Sequence, residues 1–121
     1  MSQAGSQAWA FYREVARTRI LWTICDEVGY PIPMTSEGKR SLPFWSSRSR
    51  AQRIINTVPA YSGFEPCEVT WDEFCTEWVA DLRESNRLVG VNWSGKRAVG
   101  YDLEPECLVR NVQAMIDNPQ W

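Results

Sequence analysis

The 121-residue sequence predicts a single α+β layered domain: a mixed or mainly antiparallel sheet of about five strands covered by about four helices. Three observations predict it. Apolar residues recur at helical spacing behind recognisable start signals, above all after Thr70. Short β-branched and aromatic runs stand between those segments, and no repeat, low-complexity tract or long linker divides the chain. The expected domain covers residues 1–121, with the small and polar start, 1–6, and the tail, 118–121, frayed.

The elements follow in order. Ala8, Phe11, Tyr12, Val15 and Ala16 repeat at i, i+3, i+4, i+7, i+8, which predicts a first helix to about Arg17. Ile20–Cys25 is apolar on both faces and reads as a central strand turned at Val28-Gly29. Tyr30–Met34 is confined to an edge or a loop by Pro31 and Pro33, which lack amide donors. A short strand over Ser41–Trp45 runs into a helix capped by Ser46 or Ser47, with Ala51, Ile54, Ile55 and Val58 inward and Arg48, Arg50, Gln52 and Arg53 facing out. Pro59 ends that helix. Glu65–Val69 is a strand candidate, and Thr70-Trp71-Asp72-Glu73 fits a capping box that opens a helix with Trp71, Phe74, Cys75, Trp78, Val79 and Leu82 on one stripe. Asn86 suits a left-handed stop. Leu88–Trp93 and Ala98–Leu103 form a hairpin through Ser94-Gly95-Lys96, and Glu104-Pro105 opens a last helix.

Composition excludes much chemistry. There is no histidine, so Ser–His and Cys–His pairs and His-ligated metals are impossible within the chain. Cys25, Cys67, Cys75 and Cys107 form no CxxC pair and read as free, buried thiols of a reducing compartment; with no apolar stretch of signal or membrane-spanning length, a cytoplasmic location is expected. Gly90 to Lys96 matches GxxxxGK, but Arg97 stands where a phosphate loop needs Ser or Thr and no helix follows, so a hairpin is the better reading. No cofactor is expected. The carboxylate pairs Asp26-Glu27 and Glu104/Glu106 read as solvated turn and helix-start charges, and Cys67 would need a cationic neighbour to act as a nucleophile.

The net charge of −2 argues against bulk attraction to nucleic acid or anionic lipid. Its distribution is uneven: five bases and no acid lie between Gly38 and Phe64, and seven acids against Arg83 lie between Glu65 and Glu84. These segments either pair with each other or polarise the surface. Trp22, Trp71 and Trp78 fit the core, whereas Trp45 and Trp93 end strands beside turns and are the better candidates for a recognition surface.

At Ser41-Leu-Pro-Phe-Trp45-Ser-Ser, Gly63-Phe-Glu-Pro, Trp71-Asp-Glu-Phe74 with Trp78, and Leu88-Val-Gly-Val-Asn-Trp93, the chain resembles a bacterial family catalogued as a domain of unknown function, DUF2750, from about Phe11 to Ile116. The resemblance implies a single-domain α+β bacterial cytoplasmic protein and transfers no active-site residue. The Leu-Pro-Phe-Trp strand entering a Ser-started helix also resembles the repeating unit of SseB-type secretion-associated and immunity-like proteins.

The leading expectation is a non-enzymatic protein-binding module, immunity-like or regulatory, that takes an acidic protein surface through Trp45, Arg48, Arg50, Arg53, Trp93 and Lys96, the aromatics anchoring and the cations selecting. The alternative is a small-ligand protein or an enzyme using carboxylate or Cys chemistry, and nucleic acid stands third. A homodimer is compatible with the sequence, and no membrane partner is expected.

Overall fold

The computed structural model describes residues 3–119. Helix α1 (Gln3–Thr18) begins ahead of the predicted start, because its first turn of small and polar residues carries no apolar stripe to reveal it; residues 3–6 belong to it, while residues 1–2 and 120–121 lie outside the described residues. Strand β1 (Ile20–Cys25) and strand β2 (Ser41–Phe44) follow, then α2 (Arg48–Thr57), whose N-cap is Ser47, its Oγ accepting from the Arg50 amide at 3.2 Å. Tyr30–Met34 forms no strand and keeps one bridge, Met34 to Arg40.

After a 3-10 turn at Pro59–Tyr61 come β3 (Glu65–Thr70) and helix α3 over residues 71–84. The capping box is made in full: Thr70 Oγ1 accepts from the Glu73 amide at 3.1 Å, and Glu73 Oε1 accepts back from the Thr70 amide. The middle of α3, Phe74–Trp78, is π-helical, which turns Phe74 and Trp78 together onto Phe44 with ring centroids 5.3 and 5.4 Å away. Asn86 adopts φ 56° as the left-handed stop, β4 (Leu88–Ser94) and β5 (Val99–Leu103) make the hairpin, and α4 (Pro105–Asp117) closes the described chain.

The strands form two small sheets, β1 antiparallel to β3, and β2-β4-β5 with β2 parallel and β5 antiparallel to β4. Trp22 and Trp45 join them by exchanging both backbone hydrogen bonds, at 2.8 and 2.6 Å. Pro43 is the reason the ladder goes no further. Strand period two turns Pro43 toward β1 with Trp45, but proline has no N–H to give, and its carbonyl accepts from the buried Thr23 hydroxyl at 2.9 Å instead.

Helices α1, α3 and α4 cover one face around Phe11, Val15, Phe44, Phe74, Val89, Val91, Leu108 and Val112. Helix α2 covers the other, where Ala51, Ile54 and Ile55 meet Ile24, Trp45 and Trp93. Both clusters exclude water from their large side chains, the burial that drives folding.

Candidate functional site

The site grows from an irregularity in β4. Two residues, Asn92 and Trp93, stand between Val91 and Ser94 where β5 has only Gly100 between their partners, so β4 carries a bulge, with Asn92 at φ 48°. A bulge re-aims side chains. Asn92 turns inward: its Oδ1 accepts from the Ser46 amide at 2.9 Å, and its Nδ2 donates to Ser46 Oγ at 3.0 Å and to the Gln7 carbonyl at 3.1 Å. Trp93 packs against Gly90 on the α2 side, where a side chain would collide with the indole, and closely against Gly100, where a Cβ would meet Cδ1 at 3.0 Å.

Trp45 and Trp93 therefore do not form an exposed recognition surface. They are 1% and 5% exposed, and the Trp45 Nε1–H donates to the Trp93 carbonyl at 2.9 Å. Position beside a turn misled the sequence reading: the next element, α2, folds back over both rings. Arg50 is also corrected. It sits one helical turn before Ile54, close enough to the buried stripe to point at α1, where Nη2 and Nε meet Glu14 Oε2 and Oε1 at 2.9 and 3.2 Å and Nη1 donates to Gln7 Oε1 at 2.8 Å. Burial alone would raise the Glu14 pKa, but hydrogen bonds from Arg50 and Ser46 and the Arg50 charge outweigh it and hold that carboxyl below its ordinary value.

These groups back a cleft of about 190 Å³. Its floor is Trp45, Trp93 and Asn92; Arg53, Ile54 and Thr57 of α2 form one wall and Ser94-Gly95-Lys96 the other. Five of the six residues predicted to bind thus converge, Trp45, Arg50, Arg53, Trp93 and Lys96, although the aromatics serve as floor and Arg50 as scaffold. Arg48 stands apart, exposed on the adjoining shallow depression shared with Arg53. On the far side a third depression continues through Lys96 to Arg97. Across all three hollows the lining includes Arg48, Arg50, Arg53, Lys96 and Arg97 and no Asp or Glu. Among the described residues only Arg50 of these five forms an ion pair. The acids of α3 are not spent on them, so the charge asymmetry polarises the surface.

The candidates for acid–base or thiol chemistry do not converge. Glu104 and Glu106 pair with Lys39 and Arg83, each at 3.2 Å, and Asp26 accepts from the Val28 and Gly29 amides. Cys25 and Cys67 are joined in a disulfide, which corrects the reading of four free thiols and removes Cys67 as a nucleophile and the compartment argument with it. The two cysteines were separated by 42 residues in sequence, and the antiparallel β1–β3 register brings their Cα atoms to 6.3 Å. Burial, with Asp72 nearby, pushes the Cys75 thiol up and away from thiolate.

One perturbed group escaped the sequence reading. Asp102 on β5 is half-buried, and desolvation raises its pKa against the pull of the Ser41 hydroxyl, which donates at 2.6 Å, and of the nearby Trp93 indole; Glu37 adds to the rise. The Trp93 Nε1–H is itself buried and, among the described residues, forms no well-aligned hydrogen bond.

The sequence matches the family model described as "Protein of unknown function (DUF2750)" over residues 8–112. The chain belongs to the DUF2750 family. No curated protein matches it. Among solved structures, this DUF2750 chain is similar to "Anabaena Tic22 (protein transport)", at 14% identity and a TM-score of 0.39, with 75% of this chain and 46% of that chain covered. The DUF2750 chain thus spans about half the length of that protein.

Proposed function

We propose that this DUF2750 protein is a non-enzymatic binding module, regulatory or immunity-like, whose cationic cleft grips an acidic segment of a protein partner. The observation that carries the reading is the run of Arg48, Arg53, Lys96 and Arg97 along three adjoining hollows without one carboxylate in their lining or one ion pair on these four among the described residues. Unpaired cations around a concave, Trp-floored surface select negative charge and speed encounter. Size supports a side-chain-sized occupant. The central cleft, at about 190 Å³, is smaller than the roughly 300–1,000 Å³ of small-molecule sites, and so suits a carboxylate side chain of a partner better than a whole metabolite.

The test is selection of peptides from a random library on the purified protein, followed by affinity measurement of the winners at rising salt. Enriched Asp and Glu, affinity that falls with salt, and loss of tenfold or more in affinity in Arg53→Glu/Lys96→Glu support the reading. Winners without acidic bias, or binding untouched by the double reversal, refute it.

A further inference from the structure

The two sheets end on edges of different character. Strand β3 has β1 on one side only, and its sequence Glu-Pro-Cys-Glu-Val-Thr carries exposed Glu65 and Glu68 and the donor-less Pro66, devices that discourage another strand from pairing. Strand β5 likewise has β4 on one side only, but Val-Gly-Tyr-Asp-Leu holds no proline and no lysine. Its single charge, Asp102, is turned onto Ser41. Val99 and Tyr101 are 62% and 44% exposed, and no hydrogen bond from outside the β4–β5 ladder reaches the backbone of this strand among the described residues.

We infer that β5 pairs antiparallel with β5 of a second copy of this chain, about a two-fold axis at Tyr101, to make a continuous sheet of strand order β2-β4-β5-β5-β4-β2. The strand is self-complementary in that register. Val99 faces Leu103 of the other copy, Gly100 faces Asp102, and Tyr101 faces Tyr101, so apolar side chains meet apolar ones and the inward carboxylate meets a glycine. Charge selects the antiparallel arrangement and the second copy. Exposed Arg97 precedes the strand and Glu104, partner of Lys39, follows it, so antiparallel self-pairing sets Arg97 of each copy opposite Pro105 of the other, one residue from Glu104, and brings strand ends of opposite charge together twice. A parallel pair would set Arg97 on Arg97, and an acidic peptide would oppose Glu104. The seam shares Arg97, Val99 and Gly100 with the third hollow, but the double reversal at Arg53 and Lys96 leaves all three untouched, so failure of the dimer and failure of the cationic cleft are distinguishable.

Sedimentation of the full chain over a range of concentrations tests this. The expected result is a reversible dimer of twice the 14.0 kDa chain mass. Tyr101→Lys, which sets like charges against each other on the axis, weakens dimerisation tenfold or more, with far-UV circular dichroism reporting whether the fold persists. Arg97→Glu weakens it as well, and adding Glu104→Arg restores it, a rescue that no folding defect produces. A chain that stays monomeric throughout the range overturns the inference. So does a dimer indifferent to Tyr101→Lys, or one that the charge swap fails to restore.

Discussion

Replacing Gly90 by alanine probes the packing that shapes the cleft. A Cβ built on Gly90 falls 2.6 Å from Trp93 Cζ2 and closer still to Cε2 and Nε1. Ordinary carbon contacts lie at about 3.5–4.0 Å, so the ring must retreat by about an ångström. It is the rigid middle of a fused ring, not the end of a flexible chain, and it belongs to the same buried cluster as Ile24, Trp45 and Ile54. Overpacking of this kind costs about 3 kcal/mol, the upper end of the usual range, because the Trp93 carbonyl is also tied to Trp45 Nε1. Urea denaturation of Gly90→Ala should show the midpoint falling with the slope unchanged, and melting should drop by about 10 °C. Trp93→Leu removes the atoms struck by the new methyl, so Gly90→Ala in that background should cost about 1 kcal/mol or less, a coupling that a double-mutant cycle reads directly. A Gly90→Ala change within about 0.5 kcal/mol of the parent, or additive with Trp93→Leu, refutes the packing described.

Three further outcomes are expected. Glu14→Gln should cost about 1 kcal/mol at neutral pH, the partly exposed Arg50 pair being screened; because the folded-state pKa of Glu14 is lowered, this advantage of the parent should vanish as pH falls below 4.5, in stability curves taken at several pH values. Asp102→Asn should act with the opposite sign: the raised pKa means that the ionised carboxylate opposes folding, so the variant gains stability above that pKa and the gain disappears as pH falls toward 3.8, whereas equal pH profiles would refute the burial argument. Thr70→Ala should lower stability by about 1 kcal/mol through loss of the capping box, measured by thermal melting, with no change in dimer mass or peptide affinity.

The sequence made local elements legible and left their meetings obscure. The Thr70 box, the Ser47 cap, the Asn86 stop and the Leu88–Leu103 hairpin rest on neighbours within a few residues, and each stands where the pattern placed it. The candidate site depended on distant contacts. Arg50 looked solvated because its acid, Glu14, lies 36 residues away on α1, yet its i, i+4 relation to buried Ile54 was a readable sign that it flanks the core. Trp93 had a sign too: glycines at 90 and 100 within paired strands mark a close approach, here by the indole itself. The π-helical segment of α3 and the Cys25–Cys67 link had none, since both are set by tertiary packing and register.

The proline in β2 reaches beyond topology. With the ladder between β1 and β2 reduced to the tryptophan bridge, an opening of the β1–β3 ribbon need break only that bridge and the Thr23 contact before the rest of the backbone network is disturbed. Deuterium should therefore enter the amides of the ribbon at one rate and those of the three-stranded sheet at another, giving two cooperative units in one small chain, with the cleft floor at their seam.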